Sequence, residues 1–108
     1  MAVSSTETRA RAQQFVNDWT GTTDERSESQ PFWEAFFRIF GLERRHIARF
    51  EKHVNYDDGG NGFIDVFWPG KLLCEQKGAG KSLDAAFAQA IKYVRALPVA
   101  EVPRYVIV

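Results

Sequence analysis

Three side chains near the middle of the chain could carry chemistry. Asp65, Glu75 and Lys77 fall within residues 62–77, where two short apolar runs, 63–68 and 72–75, are joined by Pro69-Gly70. Apolar runs parted by Pro-Gly read as a strand, a turn and a strand. Side chains alternate faces along a strand, so Glu75 and Lys77 share one face, with Leu73 before them. Two acids and a lysine on paired strands can hold a divalent cation and a water beside it. Carboxylate oxygens are hard ligands that suit Mg²⁺, or Mn²⁺ in its place.

That chemistry depends on register. A two-residue Pro69-Gly70 loop would pair Trp68 with Lys71 and set Asp65 opposite Cys74, with Glu75 on the other face. Pro-Gly favours a type II turn, whose twist suits two-residue hairpins poorly. A three-residue loop, or one bulge, would set Asp65 opposite Glu75. The expectation is therefore an irregular hairpin in which Asp65, Glu75 and Lys77 share a face.

The elements around the hairpin can be read in order. Residues 1–7 are polar and read as frayed. Ala12, Phe15, Val16 and Trp19 recur at helical spacing, which predicts a helix over 8–19. Residues 21–29 read as a polar loop, Pro31 as the first turn of a second helix over 32–40, and Gly41 as its end. Glu34 and Arg38 are four apart on that helix and could pair on its surface.

Residues 43–53 are rich in bases, with Arg44, Arg45, His46, Arg49, Lys52 and His53. They read as a helical end passing into a first strand. They form either a solvated face or a contact for DNA phosphates. His46 and His53 lie seven apart with no cysteine nearby, which is not a zinc spacing. Residues 56–62 are turn residues. They mimic a calcium loop, but Trp68 stands where a bidentate glutamate is needed. Residues 78–82 end in Gly-Lys-Ser like a phosphate-binding loop, but Glu75 occupies the position of its first glycine. Ser82 caps a helix to Ala96 whose buried stripe is Leu83, Ala86, Phe87, Ala90, Val94 and Leu97, and Pro98 stops it. Residues 104–108 form a last strand that follows a helical crossover and can run parallel to another. The strand pattern ends the sequence with no polar tail, as in a piece cut from a longer protein.

The 108 residues suffice for one domain over 1–108 with one core. Hydrophobic content of 44% argues against disorder, and a net charge of zero leaves any nucleic-acid contact to local patches. Cys74 is the single cysteine, so no intramolecular disulfide forms, which fits a reducing cytoplasm. No apolar run is long enough to span a membrane. The helix, helix, strand, strand, strand, helix, strand order gives an α/β fold with a small mixed sheet flanked by helices.

The spacing from Asp65 to Glu75-Gln76-Lys77 resembles the PD-(D/E)xK nuclease motif, with Ile64 in place of its proline. Residues 8–108 are similar to the N-terminal domain of MmeI-like enzymes. In these restriction-modification proteins endonuclease, DNA methyltransferase and target recognition are fused. The phrases that carry the likeness are residues 62–65, 73–77 and 103–108. Gln89 and Tyr93 also match a Gln-x-x-x-Tyr signature of RecB-like and lambda-exonuclease-like nucleases. The resemblance implies a restriction-endonuclease-like core that cleaves double-stranded DNA. Asp65 and Glu75 would hold Mg²⁺ or Mn²⁺, and Lys77 would orient water or stabilise charge. Gln89 would join them, as would Glu34, as a first-helix acid facing the cleft. S-adenosylmethionine would belong to the methyltransferase part, and the remaining domains of the parent would be partners. Two alternatives stand beside this: a catalytically idle DNA-docking or scaffold domain of a methylation-based defence protein, and a nucleotide-binding module built on residues 78–82.

Overall fold

The computed structural model describes residues 3–22 and 25–108, and the chain forms two compact units, Met1–Ile47 and Ala48–Val108. The first holds helices α1 (Ser5–Trp19) and α2 (Glu25–Ile39) and a 3-10 turn at Arg44–His46. The Ser4 hydroxyl accepts from Glu7 N and caps α1, so the helix starts ahead of the expected residue 8. Helix α2 also starts early. Residues 25–29, expected in a loop, are helical, and Pro31 lies inside the helix instead of opening it. Residues 23 and 24 of that expected loop, and 1 and 2 of the expected frayed end, lie outside the described residues. Gly41, at φ 75, ends α2 as expected. Leu42 N bonds Phe37 O and Gly41 N bonds Arg38 O, which is a Schellman closure. Phe15, Trp19, Phe32 and Phe36 pack edge-on or tilted between α1 and α2.

The second unit is a four-stranded sheet and one long helix. Strands β1 (Arg49–Asn55), β2 (Asn61–Trp68), β3 (Leu72–Cys74) and β4 (Tyr105–Ile107) lie in sequence order. β1–β2 and β2–β3 are antiparallel, while β4 runs parallel to β3 after helix α3 (Leu83–Ala96), as the crossover predicts. Val54, Ile64, Phe67, Leu73, Ala90, Tyr93 and Leu97 form the core. The stripe on α3 differs from the one expected. Ala86, Ala90, Tyr93 and Leu97 are buried, while Leu83 and Phe87 are 60% and 52% exposed. The reason lies in β2. Gly62 has no side chain, and a Cβ there would stand 2.9 Å from Tyr93 Cε1, so the bare backbone leaves the room that the tyrosine ring uses.

The central hairpin has the irregular register. Trp68 pairs with Leu72, Phe67 with Leu73 and Val66 with Cys74, so Pro69, Gly70 and Lys71 form a three-residue loop. Lys71 N bonds Trp68 O at 2.9 Å, with Gly70 at φ 75, the left-handed third position that a type II turn requires. The loop is tied down by Gly70 N to Glu101 O, and by Arg104 N and Tyr105 N to Lys71 O. An added Cβ at Gly70 would meet only Ala100 O at 3.8 Å, so substitution there is opposed by backbone conformation and not by space. Gly70→Ala should lower the unfolding free energy by about 1–2 kcal/mol, the cost of a left-handed L-residue. Urea denaturation measures it, and an unchanged midpoint would contradict the turn.

Candidate active site

Continuing the β2–β3 register by one pair sets Asp65 opposite Glu75, but the ladder stops at Cys74. Side chains take over where the strands part. Asp65 N donates to Glu75 Oε1 at 3.3 Å, and Gln76 N donates to Asp65 Oδ2 at 2.8 Å. Each carboxylate accepts a backbone N–H from the opposite segment, which locks the two acids against each other. Glu75 N meanwhile bonds Ile107 O, so β4 holds the segment from its other side. β3 is thus shorter than the expected 72–75, and Glu75 and Lys77 lie just past its end.

The ladder is also broken on the β1 side of Asp65. Phe50 pairs with Val66 and Lys52 with Ile64, but no pair joins Glu51 to Asp65 between them. Glu51 has φ 52, a left-handed conformation that costs a non-glycine residue about 1–3 kcal/mol and often marks a functional site. Asp65 therefore sits at an interruption of both flanking ladders, at the point where the sheet stops being regular. No sequence pattern announces Glu51.

The electrostatics follow from the burial. Glu75 is only 4% exposed. Burial first, and then the Asp65 charge, push its carboxyl up to about 8, with Lys77 opposing the rise. Neighbouring Cys74 is raised to about 12 by burial and by the same two acids, so it is an inert buried thiol. Tyr93 is pushed above the usual phenol range by burial and then by Glu75. Two adjoining carboxylates that cannot both ionise without cost suit a hard divalent cation, which would take the place of the shared proton. Among the described residues no third His, Cys, Asp or Glu gathers with them as a cation site.

The other expected residues separate. Lys77 is exposed and acts on Glu75 through its charge. Gln89 is held by two tyrosines. Its Nε2 donates to Tyr56 Oη at 2.9 Å, and it also bonds Tyr93, the phenol that feels Glu75. Glu34 belongs to the first unit, where its Oε1 accepts from Arg44 at 2.8 Å. The expected Glu34–Arg38 pair does not form, because Arg38 turns to Glu43 at 3.5 Å and the 3-10 turn brings Arg44 to Glu34. A groove of about 590 Å³ lined by Phe15, Trp19, Arg38 and Leu42 also lies in the first unit, and neither acid of the pair lines it. Of the basic segment, Arg49 and Lys52 edge a recess of about 230 Å³ with Phe67 and Glu101, and His53 packs on Phe63.

The family model for the MmeI N-terminal domain matches residues 10–108. The chain belongs to that family. No curated protein and no solved structure matches it. No described helix is long and apolar enough to cross a membrane.

Because Glu75 is raised from 4.5 to about 8, it is protonated in the fold and ionised in the unfolded chain between those values. Its stabilising contribution is full below that window and is lost as pH rises through the folded value. The metal-free chain should therefore melt at a lower temperature at about pH 9 than at about pH 5, and Glu75→Gln should flatten the decline. Thermal melts of both proteins across this range test it, and equal slopes would contradict the burial of an acid at this site.

Proposed function

We propose that this domain hydrolyses phosphodiester bonds of double-stranded DNA in a divalent-cation-dependent reaction, as the endonuclease part of a restriction-modification enzyme that carries a fused DNA methyltransferase. The restriction-modification setting comes with the family. The observation that carries the nuclease reading is the locked Asp65–Glu75 pair at a break in the sheet, Glu75 buried and Asp65 half-buried, with Lys77 two residues on. The β-β-β-α-β order, with one acid on β2 and the other just past β3, supports a PD-(D/E)xK core.

Asp65 and Glu75 would hold Mg²⁺ or Mn²⁺, which when bound supplies charge neutralisation and a more acidic water. The chain's own part is positioning. The Asp65 and Gln76 amides fix the carboxylate orientations, and β4 anchors Glu75 from behind. Lys77, exposed and cationic, orients the attacking water or stabilises charge developing on the phosphate. Gln89 belongs to the same site. Arg49 and Lys52 supply sequence-independent phosphate contacts.

The test has two parts. Calorimetry with Mn²⁺ on the chain should show binding that falls in Asp65→Ala and Glu75→Ala by more than the roughly 10–100-fold typical of losing a ligand's outer partner. In the full-length parent, Asp65→Ala, Glu75→Ala and Lys77→Ala should each abolish cleavage while methylation persists. Cleavage retained in Glu75→Ala would sink the assignment and favour the scaffold alternative.

A further inference from the structure

Tyr56 lies just past the end of β1, outside every motif that points to nuclease chemistry, yet three side chains of α3 meet it. Its hydroxyl accepts from Gln89 Nε2 at 2.9 Å. Its ring stacks on Tyr93 with centroids 6.1 Å apart and planes 20° from parallel. The Lys92 ammonium lies 4.2 Å from the ring centroid. The backbone beneath is equally fixed, since Tyr56 N bonds Gly60 O at 2.7 Å and Gly59 N bonds Tyr56 O at 3.2 Å.

The slot that admits these groups exists only because residue 62 is glycine. A Cβ there would stand 2.6 Å from Tyr56 Oη, 2.9 Å from Tyr93 Cε1 and 3.1 Å from Tyr93 Oη. Both phenols therefore rest against the β2 backbone three residues before Asp65. Tyr93 bonds Tyr56 and Gln89, and its phenol lies within the field of Glu75. The contacts run from the β1 turn, through Tyr56, to Gln89 and Tyr93 on α3, and against Gly62 of the strand that carries Asp65.

We propose that Tyr56 is a positioning residue of the candidate active site, fixing the Gln89 carboxamide and the Tyr93 phenol beside the Asp65–Glu75 pair. A glutamine side chain is long and rotamer-rich, and a single acceptor anchored in a turn holds its amide in one orientation. Outer groups held this way orient the carboxylates that bind a cation. The role deepens the nuclease reading and rests on it for its chemistry, while the clamp itself is a property of the folded chain.

The test compares wild type, Tyr56→Phe, Gln89→Ala and the double variant of the 108-residue chain. Three quantities are read: Mn²⁺ affinity by calorimetry, the Gln89 side-chain amide signals by NMR without metal, and the melting temperature as a control for folding. Tyr56→Phe should weaken Mn²⁺ binding about tenfold. It should move the Gln89 amide signals to those of a solvent-exposed glutamine, and it should add nothing once Gln89 is alanine. Gly62→Ala should weaken Mn²⁺ binding in the same direction, and if it fails to fold, Tyr56→Phe decides alone. An unchanged Mn²⁺ affinity in Tyr56→Phe, or additive effects in the double variant, overturns the proposal. A wild type that binds no Mn²⁺ overturns the nuclease reading instead. The Gln89 signals then decide the clamp by themselves: movement in Tyr56→Phe supports it and constancy overturns it.

Discussion

Two carboxylates held side by side, one buried and one half-buried, are the constraint around which the sheet unit is arranged. Asp65 and Glu75 repel when both are ionised, and burial of Glu75 raises the cost. A fold that keeps them together must offset that with backbone hydrogen bonds, and it does so reciprocally, through Asp65 N and Gln76 N. The two bonds lie where the ladders break at the same level, at Glu51 on one side and past Cys74 on the other. A regular sheet would have spent the Asp65 amide on a neighbouring carbonyl.

The rest of the sheet unit makes that break tolerable. β4 takes the Glu75 amide, and its preceding segment ties down the Pro69-Gly70-Lys71 loop that sets the register. α3 and its cap cover the core with Ala86, Ala90, Tyr93 and Leu97, two small residues followed by two large ones, and place the Tyr93 phenol where Glu75 acts on it. The first unit is held by its own means, an aromatic cluster and the Glu34–Arg44 and Arg38–Glu43 ion pairs.

Much of this was legible in the residues. The element order, the parallel last strand, the three-residue hairpin loop and the Ser82 cap all follow from local chemistry, because turn residues and alternation act over a few positions. What was illegible depended on distant partners. Pro31 reads as a helix start by local rule, but α2 continues upstream of it and the local signal gives way. Leu83 and Phe87 fit a helical stripe, and the face that packs is rotated from it because Gly62 opens room for Tyr93. β3 ends a residue early because Glu75 answers to β4 and to the Asp65 amide. Glu51 in a left-handed conformation and Tyr56 reaching α3 have no sequence signature at all, since each is fixed by groups far along the chain. The Asp65–Glu75 juxtaposition was readable through the hairpin. Glu34 was not, since its carboxylate pairs with Arg44 and not with the residue four positions along its own helix.

The central claim is that Asp65 and Glu75 share one cation. Crystals of the chain soaked in Mn²⁺ and measured by anomalous diffraction test it most directly. The account predicts a single strong peak within ligand distance of a carboxylate oxygen from each residue, lost in Glu75→Ala. A well-ordered structure with no peak there at saturating Mn²⁺, or with manganese bound only elsewhere, would contradict it.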